Sequence, residues 1–200
     1  MKYKWTATPA RWRGYDWPAW HYECEMKSDR CTAINDDGTR CSRRVVIGKP
    51  MCWIHSRSQM KLAVKNSTIP NAGKGLFAIR TKKKGLTETQ LHKPVFRKNE
   101  NIAKYTGDVV TEAELDARYG GDVNYTAPYA LLMNGVIIDA GCNRGIASIA
   151  NHKPPSQANS EFTETGKIRA TKNIYDGREI FVDYGPNYQF HPNVTAKVVR

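Results

Sequence analysis

The sequence lacks any apolar run long enough to cross a lipid bilayer, so we do not expect an integral membrane protein. The first residues, MKYKWTATPARWRG, lack the apolar core of a secretory signal peptide, so we expect no secretory route. Without that route, the five cysteines are expected to be metal ligands or core residues and not disulfide partners. The content of 40% hydrophobic and 25% charged residues indicates a soluble globular protein.

Acidic residues are scarce in the first half of the chain. Residues 1–104 contain 22 Lys and Arg against 8 Asp and Glu, a net charge of +14, whereas residues 105–200 contain 9 against 11, a net charge of −2. The basic half favours polyanions, of which nucleic acid is the commonest. The other half tolerates a basic ligand. A basic surface that is merely solvated is the alternative, because charge alone does not identify a partner.

The regular alternation of strands and helices that marks a parallel α/β sheet is also missing. The stretches KLAVKNSTI, GLFAIR, ENIAKYTGDVV, APYALLM, VIIDAG and REIFVDYG indicate strands. TEAELDARYG indicates a short helix that begins with a capping box of Thr111 and Glu114. GIASIANH indicates a small apolar helix that must end near His152, because Lys153 and two prolines follow. The predicted class is therefore mostly β with short helices.

Gly73 and Gly75 form a Gly-x-Gly sequence of the kind found in nucleotide-binding loops. Such a loop leads from a strand into a helix whose first turn holds the phosphate. Here the residues after Gly75 are Leu-Phe-Ala-Ile, with no helix cap, so the loop is flanked by strands. This excludes a dinucleotide site and fits a turn whose backbone comes close to a ligand.

Three cysteines and a histidine follow the spacing C-x9-C-x10-C-x2-H at Cys31, Cys41, Cys52 and His55. Thiolate and imidazole ligands in a set of four suit tetrahedral structural zinc, and so small a module would depend on the metal for its folding. Scattered core cysteines with a chance histidine are the alternative, and Cys24 is interpreted as a spare thiol. The stretches TRCSRRVV and CWIH resemble the plant WRC zinc motif, which implies a possible contact with DNA.

Tryptophans and arginines alternate before this motif, in WTATPARWRGYDWPAWHY. These side chains could stack on nucleic-acid bases. Packing of the extension onto the next domain is the interpretation we favour, on general burial grounds. The residues concerned are Trp5, Arg11, Trp12, Arg13, Trp17 and Trp20.

Four short motifs occur in order along the rest of the chain: AGKGLFA, IAKYTGDV, IANHKPPSQAN and EIFVDYG. Together, over residues of about 61–190, they resemble the SET domain of protein lysine methyltransferases. The resemblance implies a β-fold with a knot-like core. In it the segment of Asn151 and His152 would be a strand threaded through a loop, where it touches S-adenosylmethionine. It also implies transfer of the sulfonium methyl group to a neutral lysine amine.

The resemblance implies a role for each matching residue. Tyr184 would orient the amine and Tyr105 would line its channel. The residues that would contact the cofactor are Lys74, Gly75, Tyr129, Ser148, Ile149, Asn151 and His152. No cysteine follows Tyr184, so we expect no zinc-binding tail of the kind found in many relatives, and Tyr188 or Phe190 would close the site. The substrate channel would include Phe162, Val182, Tyr188 and Phe190.

We therefore predict two domains, an aromatic, basic extension with the zinc module at 1–59 and a SET-like domain at 60–200. The predicted function is an S-adenosylmethionine-dependent protein lysine methyltransferase acting on a histone tail or another lysine-bearing protein. DNA or a nucleosome is a possible second partner, and no membrane is expected. The location would be nuclear, or cytoplasmic if the target is not chromatin. The alternative is a catalytically inactive SET-like protein that binds DNA or chromatin.

Overall fold

A computed structural model describes residues 2–6, 23–27, 30–45, 50–81, 85–119, 127 and 129–185, with only the backbone described in the first two ranges. The strands are β1 (Lys2–Thr6), β2 (Glu23–Lys27), β3 (Leu62–Asn66), β4 (Lys74–Ala78), β5 (Asn101–Lys104), β6 (Asp108–Val110), β7 (Ala130–Met133), β8 (Val136–Asp139), β9 (Asn151–His152), β10 (Ser160–Phe162), β11 (Lys167–Ala170) and β12 (Glu179–Val182). The helices are α1 (Trp53–Ser58), α2 (Glu88–Leu91), α3 (Glu112–Tyr119) and a 3-10 helix (Ile146–Ile149). The mostly β class with short helices is confirmed.

The central strand of the fold is β12, whose four residues are all buried. The main sheet has the order β3-β4-β12-β10-β11-β5, and β9 also pairs with β12. The pairing of β12 with β4 is antiparallel, whereas β9 and β10 both run parallel to it. Three separate segments thus converge on one strand, which is the arrangement that a knot-like core requires. A second sheet has the order β6-β8-β7, and β1 pairs with β2.

Asn159 completes the pairing around β12 with its side chain. Its Nδ2 donates to the carbonyl oxygen of Glu179 at 2.8 Å, and its Oδ1 accepts from the amide of Phe181 at 2.9 Å. A carboxamide presents one donor and one acceptor in the same plane, as a peptide group does. The side chain of Asn159 therefore takes the place of a strand residue just before β10 begins.

Turn and cap signals placed several elements correctly. The β7–β8 turn uses Asn134 (φ +48°) and Gly135 (φ +77°), a pair of positive φ angles that fits a two-residue hairpin. The β10–β11 hairpin turns at Gly166 (φ +72°). At α3 the capping box is confirmed, because Glu114 Oε2 accepts from the Thr111 amide and Thr111 Oγ1 accepts from the Glu114 amide.

Local propensity misplaced one helix end and missed another helix. The apolar run before His152 forms a single 3-10 turn that ends at Ile149, and the chain is already extended at Ala150 (φ −68°, ψ 124°). The strand that the resemblance implied for the Asn-His segment is present as β9. Pairing with β12 draws the Asn-His segment into a strand, which is a tertiary effect that overrides local propensity. The helix α2 was not predicted, although Thr87 and Gln90 form a capping box there.

The described residues form separate cores. The main core includes Leu62, Leu76, Ile168, Ile180 and Val182, and Met60 packs against it. A small second core contains Cys31, Ala33, Cys41, Val45 and Cys52, with Met51 and Ile54 beside it. The switch from one core to the other thus falls between Ile54 and Met60. Among the described residues, none of the helices combines the length and the apolar character needed to span a bilayer.

Cys142 departs from the expectation that no cysteine is a disulfide partner, because it is disulfide-bonded. Cys31, Cys41 and Cys52 are free thiols, and the side chain of Cys24 is not described. Redox chemistry depends on which thiols the fold brings together, and the cysteine count does not show that. The predicted packing of Trp12, Trp17 and Trp20 lies outside the described residues, as do Arg11 and Arg13, and the side chain of Trp5 in β1 is not described.

Candidate active site and metal cluster

A pocket opens between the two larger sheets, beside the 3-10 helix. Its volume is about 50 Å³, which is room for about four water molecules or one small polar group. The residues that line it are Tyr105, Tyr129, Ala130, Leu131, Ala147, Ser148, Ala150, Phe162 and Tyr184. Five of these residues were singled out from the sequence, so the fold brings together in one place side chains that lie far apart along the chain.

Tyr184 is fixed in the pocket at both its backbone and its hydroxyl. The hydroxyl donates to the carbonyl oxygen of Ala150 at 2.6 Å, and the amide donates to His152 Nδ1 at 3.1 Å. The rings of Tyr184 and His152 lie 5.3 Å apart between centroids. Because the Tyr184 hydroxyl has already given its hydrogen to a carbonyl, its oxygen faces the pocket as an acceptor.

Burial and one hydrogen bond favour the neutral form of His152. Burial lowers the pKa of its imidazole below the usual value, and the carboxylate of Asp183, with Oδ1 3.7 Å from Nδ1, opposes this only in part. The bond from the Tyr184 amide also requires a free lone pair on Nδ1, which a protonated ring does not have. Next to a cationic ligand, a neutral imidazole avoids like-charge repulsion.

Tyr105 forms the opposite wall of the pocket. Its hydroxyl donates to the carbonyl oxygen of Tyr129 at 2.7 Å, so it too faces the pocket as an acceptor. Phe162 meets its ring edge to face, with centroids 5.6 Å apart and planes at 84°. The guanidinium of Arg144 lies 3.7 Å from the ring centroid of Tyr129, which holds that ring by a cation–π contact. The sequence argument did not identify Arg144.

A buried carboxylate supports the segment that leads to the 3-10 helix. Asp139 is fully buried and accepts from Arg118 at 2.7 Å, from the Tyr119 hydroxyl at 2.9 Å and from the Gly141 amide at 2.8 Å. Arg118 also contacts Asp108 at 3.0 Å. A buried charge is tolerated only when it is paired and hydrogen-bonded in this way. The network fixes α3 against the β6-β8-β7 sheet and the start of the loop after β8.

The Gly-Lys-Gly loop meets Asn151 at a second place, next to the pocket. Asn151 Nδ2 donates to the carbonyl oxygen of Lys74 and to Glu179 Oε1, both at 3.0 Å. The Lys74 ammonium is exposed and contacts Asn66 Oδ1 at 2.7 Å. Gly73 has φ +72° with open space beside it, so backbone conformation explains this glycine.

Gly75 has a steric cause that its sequence did not suggest. A Cβ at this position would lie 2.0 Å from Glu179 Oε1. The close neighbour of this glycine is therefore a buried side chain of the protein itself. Sequence reasoning missed Glu179, although a single acidic residue at the start of a strand that is otherwise apolar is an available signal.

The remaining predicted residues lie at different depths. Ile149 is half-buried and packs against the main core, and Ser148 lines the pocket. Val182 is fully buried within β12 and is not among the residues that line the pocket. Tyr188 and Phe190 lie outside the described residues, so their predicted part in closing the channel is not described by the structure.

The three cysteines and the histidine form one compact cluster. One potential ligand atom from each of Cys31, Cys41, Cys52 and His55 lies within 4.8 Å of the others. His55 Nδ1 is 3.6 Å from Cys31 Sγ and 3.3 Å from Cys52 Sγ. Ligand atoms of a tetrahedral Cys3His zinc site lie about 3.5–3.8 Å apart, given zinc–ligand bonds of about 2.0–2.3 Å. The cluster therefore fits a zinc ion.

Two backbone segments present the cluster. A hairpin that turns at Gly38 carries Cys31 and Cys41, with the Cys31 amide bonded to the Arg43 carbonyl at 2.8 Å. Cys52 is the N-cap of α1, and His55 follows one turn later, so a single helical turn supplies two ligands. The Cys52 amide also donates to Cys31 Sγ at 3.2 Å, which joins the two segments.

The thiols of the cluster differ in acidity. Burial raises the pKa of Cys31, but hydrogen bonds from the backbone of Cys52 and Ala33 and from His55 outweigh it and lower the pKa to about 7. At Cys41 a backbone hydrogen bond involving Arg43 lowers the pKa. Burial and the neighbouring thiols together raise the pKa by more than this, so the net shift is upward. Adjacent thiolates thus repel one another, and each raises the pKa of the next unless a cation lies between them.

Comparison with known proteins identifies the family. A model of the SET domain matches residues 73–185. The chain belongs to the SET-domain family. The match runs from the Gly-Lys-Gly loop to the residue after Tyr184, so it contains the pocket and the Asn151 contact. The Cys3His cluster lies before it.

Solved structures share the SET fold with this chain. A structure of polycomb repressive complex 2 from Chaetomium thermophilum matches with a TM-score of 0.50 and 23% identity, covering 67% of this chain and 16% of that chain. The same complex, bound to H3K27me3 and H3K27M, matches with a TM-score of 0.50 and 22% identity, covering 68% and 16%. This chain thus spans about a sixth of the chains it matches, and the likeness concerns the fold. No curated protein matches the sequence.

Proposed function

We propose that this SET-domain protein transfers a methyl group from S-adenosylmethionine to the side-chain amine of a lysine in another protein. The observation that carries the proposal is the pocket in which Tyr184 and Tyr105 present hydroxyl oxygens beside the ring of Phe162. An amine that enters can donate a hydrogen to each oxygen, which aims its lone pair along one direction. Positioning of this kind is a large part of catalysis when two groups must meet in line.

The walls of the pocket favour the neutral amine that the reaction needs. Removing an ammonium group from water lowers its pKa and so favours loss of the proton. Aromatic faces from Tyr105, Phe162 and Tyr184 still attract a cationic or methylated head through cation–π contacts. The same pocket therefore accepts the lysine before reaction and the methylated lysine after it.

The residues around Asn151 fit the proposed cofactor. Lys74 offers an ammonium group to a carboxylate, Ser148 and the amide of Asn151 offer polar contacts, and neutral His152 adds no positive charge. Bound S-adenosylmethionine supplies an electrophilic methyl group on a positively charged sulfur. Lys74, Gly75, Tyr129, Ser148, Ile149, Asn151 and His152 are the residues we propose to hold it.

The substrate we propose is a histone tail, with another lysine-bearing protein as the broader class. The fold is shared with a complex bound to H3K27me3, and residues 105–200 carry a net charge of −2 that tolerates a basic peptide. Glu112, Glu114 and Asp116 on α3 contribute to this acidic half. A nuclear location follows from a chromatin substrate.

Methyl transfer from labelled S-adenosylmethionine tests the proposal directly. Nucleosomes, free histones and a cell extract serve as acceptors, and we expect label in at least one protein band, located on lysine by mass spectrometry. Cofactor binding without transfer to any acceptor would favour the second candidate, a SET-like protein that binds chromatin without catalysis. The presence of Tyr184 in the pocket, with His152 bonded to its amide and Asn151 next to the pocket, supports the enzyme.

We also propose that the domain boundary falls at 59/60, with the Cys3His cluster holding a structural zinc in the first domain. Support comes from the two cores, because Ile54 packs against the cysteines and Met60 against the SET core. Three exposed arginines of the first domain, Arg30, Arg40 and Arg43, make it the candidate for contact with DNA.

Duplex DNA should bind weakly and with a steep dependence on salt, because phosphate contacts release counterions. Fluorescence anisotropy of a labelled duplex, measured with the full chain over a range of salt concentrations, gives the slope. Arg43→Gln should lower that slope by about one phosphate contact. Lys167→Gln, an exposed lysine on β11, is the matched control and should leave it unchanged. Absence of binding at low salt, or binding that salt does not weaken, contradicts the proposal.

Phe162 leads to a prediction about the product. It lines the pocket without a hydroxyl that could hold the amine in a single orientation, so a methylated amine retains room to turn and react again. We expect methylation beyond the monomethyl state. Phe162→Tyr adds a hydroxyl to a pocket of about 50 Å³ and should shift the product towards monomethyl-lysine. Mass spectra of exhaustive reactions provide the measurement, and wild-type protein that makes only monomethyl product contradicts the prediction.

A further inference from the structure

Glu179 connects the segments that surround the proposed cofactor site, and its own side chain is buried among them. It is 4% exposed at the start of β12, and its carboxylate accepts four hydrogen bonds. It is not among the residues that line the pocket of Tyr184. We propose that Glu179 is a positioning residue that sets the Gly-Lys-Gly loop and Asn151 for the cofactor. This inference rests on the proposed function for the identity of the ligand.

The two carboxylate oxygens hold different segments. Oε2 accepts from the amide and the hydroxyl of Thr68, both at 2.6 Å. Oε1 accepts from the Ser67 hydroxyl at 2.7 Å and from Asn151 Nδ2 at 3.0 Å. Hydrogen bonds to an ionised acceptor are shorter and stronger than neutral ones. The turn after β3 and the strand β9 are thus attached to one buried charge.

Asn151 extends this attachment to the loop. Its Nδ2 carries two hydrogens, of which one goes to Glu179 and the other to the carbonyl oxygen of Lys74. Loss of the carboxylate would free the amide to rotate, and the Lys74 carbonyl would lose a fixed partner. Glu179 therefore acts on the loop through Asn151.

Contact with Gly75 makes the attachment direct as well. A Cβ at Gly75 would lie 2.0 Å from Glu179 Oε1, 2.7 Å from its Cδ and 3.1 Å from Asn151 Nδ2. The loop can approach β12 this closely only because residue 75 has no side chain. Gly73, two residues earlier, has open space around it and is required only by its φ of +72°. Glycine is thus required at residue 73 by the backbone conformation and at residue 75 by a close contact.

Reciprocal substitution tests the contact. Gly75→Ala should lower the melting temperature by about 3–10 °C through overpacking. Glu179→Asp withdraws the carboxylate by about 1.5 Å, one carbon–carbon bond, and makes room for the added methyl group. The double variant should therefore lose less than the sum of the two single losses. Gly73→Ala combined with Glu179→Asp is the matched control. The losses in melting temperature of these two substitutions should add, because Gly73→Ala is destabilising only through its positive φ angle and not through a contact with Glu179.

Calorimetric titration with S-adenosylmethionine tests the role. Glu179→Gln keeps the shape of the side chain but replaces one acceptor oxygen by a donor group. We expect its Kd for the cofactor to rise about tenfold or more, while kcat at saturating cofactor falls less than about threefold. Ser67→Ala removes a single bond to the carboxylate and should give a smaller rise in the same direction. Glu161→Gln, a surface carboxylate paired with Arg169, is the control and should leave Kd unchanged.

The outcomes separate this proposal from the function on which it rests. Wild-type protein that binds no S-adenosylmethionine overturns the proposed function, and the melting temperatures then still decide whether Glu179 sets the loop. Wild-type binding with an unchanged Kd in both Glu179→Gln and Ser67→Ala overturns the positioning role. Strict additivity of Gly75→Ala and Glu179→Asp overturns the contact. If Glu179→Gln does not fold, Ser67→Ala provides the Kd comparison.

Discussion

Replacing Tyr184 with phenylalanine should lower kcat and kcat/KM together, by about 10²-fold, which is the loss expected when a reacting group is misplaced. The substitution removes one oxygen and keeps the ring beside His152. That oxygen is an acceptor in the pocket because its hydrogen goes to the carbonyl of Ala150 at 2.6 Å. The lysine amine would then keep its aromatic surroundings but lose the atom that directs its lone pair.

Removing the Tyr184 hydroxyl also lowers the stability of the fold, so the experiment needs a control for stability. Without it, the Ala150 carbonyl loses a hydrogen bond in a part-buried site, at a cost of about 1–3 kcal/mol in stability. Tyr119→Phe removes a tyrosine hydroxyl that donates to Asp139 at 2.9 Å and does not line the pocket. A much larger loss of kcat in Tyr184→Phe than in Tyr119→Phe, at comparable melting temperatures, would separate orientation of the amine from a general loss of stability.

Asn151→Ala should behave in the opposite way. Its side chain holds the Lys74 carbonyl beside the proposed cofactor and does not line the pocket. We expect weaker binding of S-adenosylmethionine with a smaller change in kcat at saturation. Steady-state kinetics over cofactor concentration distinguish the two patterns. Full activity of Tyr184→Phe would show that the residue assignment is wrong even if the protein is a methyltransferase.

The sequence located the aromatic residues of the pocket but not what holds them. Tyr105, Phe162 and Tyr184 stood out because each belongs to a short motif, and the fold brings them to one pocket. Their roles in catalysis stay predictions. Local signals such as Asn134-Gly135 and the Thr111–Glu114 box also placed a hairpin and a helix correctly, since both depend on neighbouring residues only.

Long-range polar contacts are what the sequence could not show. Ser67 and Glu179 are 112 positions apart, and nothing in either neighbourhood indicates that they meet. Gly75 was interpreted as a site of ligand approach, and its contact with Glu179 was not foreseen. Local propensity extended a helix towards the Asn-His segment, whereas the resemblance made the segment a strand, and pairing with a strand 30 residues further on makes it β9. Contacts of this kind depend on topology, and local propensity carries little information about them.

Removing zinc should unfold the first domain while the SET core stays folded. The core around the cysteines contains few apolar residues, Ala33 and Val45 with Met51 and Ile54 beside them, and is too small to support a fold alone. Structural zinc in modules of this size contributes about 10–16 kcal/mol of binding free energy, which becomes folding free energy. Without the ion, three buried thiols and a half-buried imidazole would remain in contact with no common partner.

Elemental analysis of protein purified without chelator should find about one zinc per chain, bound by Cys31, Cys41, Cys52 and His55. Cys52→Ala and His55→Ala should each lose the metal, and limited proteolysis should then cut within residues 30–59 and spare the SET domain. Trp53→Ala is the control, because this side chain lies between the two ligands in sequence but is 61% exposed and faces solvent. It should keep both the metal and the resistance to protease. Wild-type protein without metal, or metal that survives in Cys52→Ala and His55→Ala alike, would show that the four residues form an ordinary core, since a closed four-ligand site cannot lose a ligand at no cost.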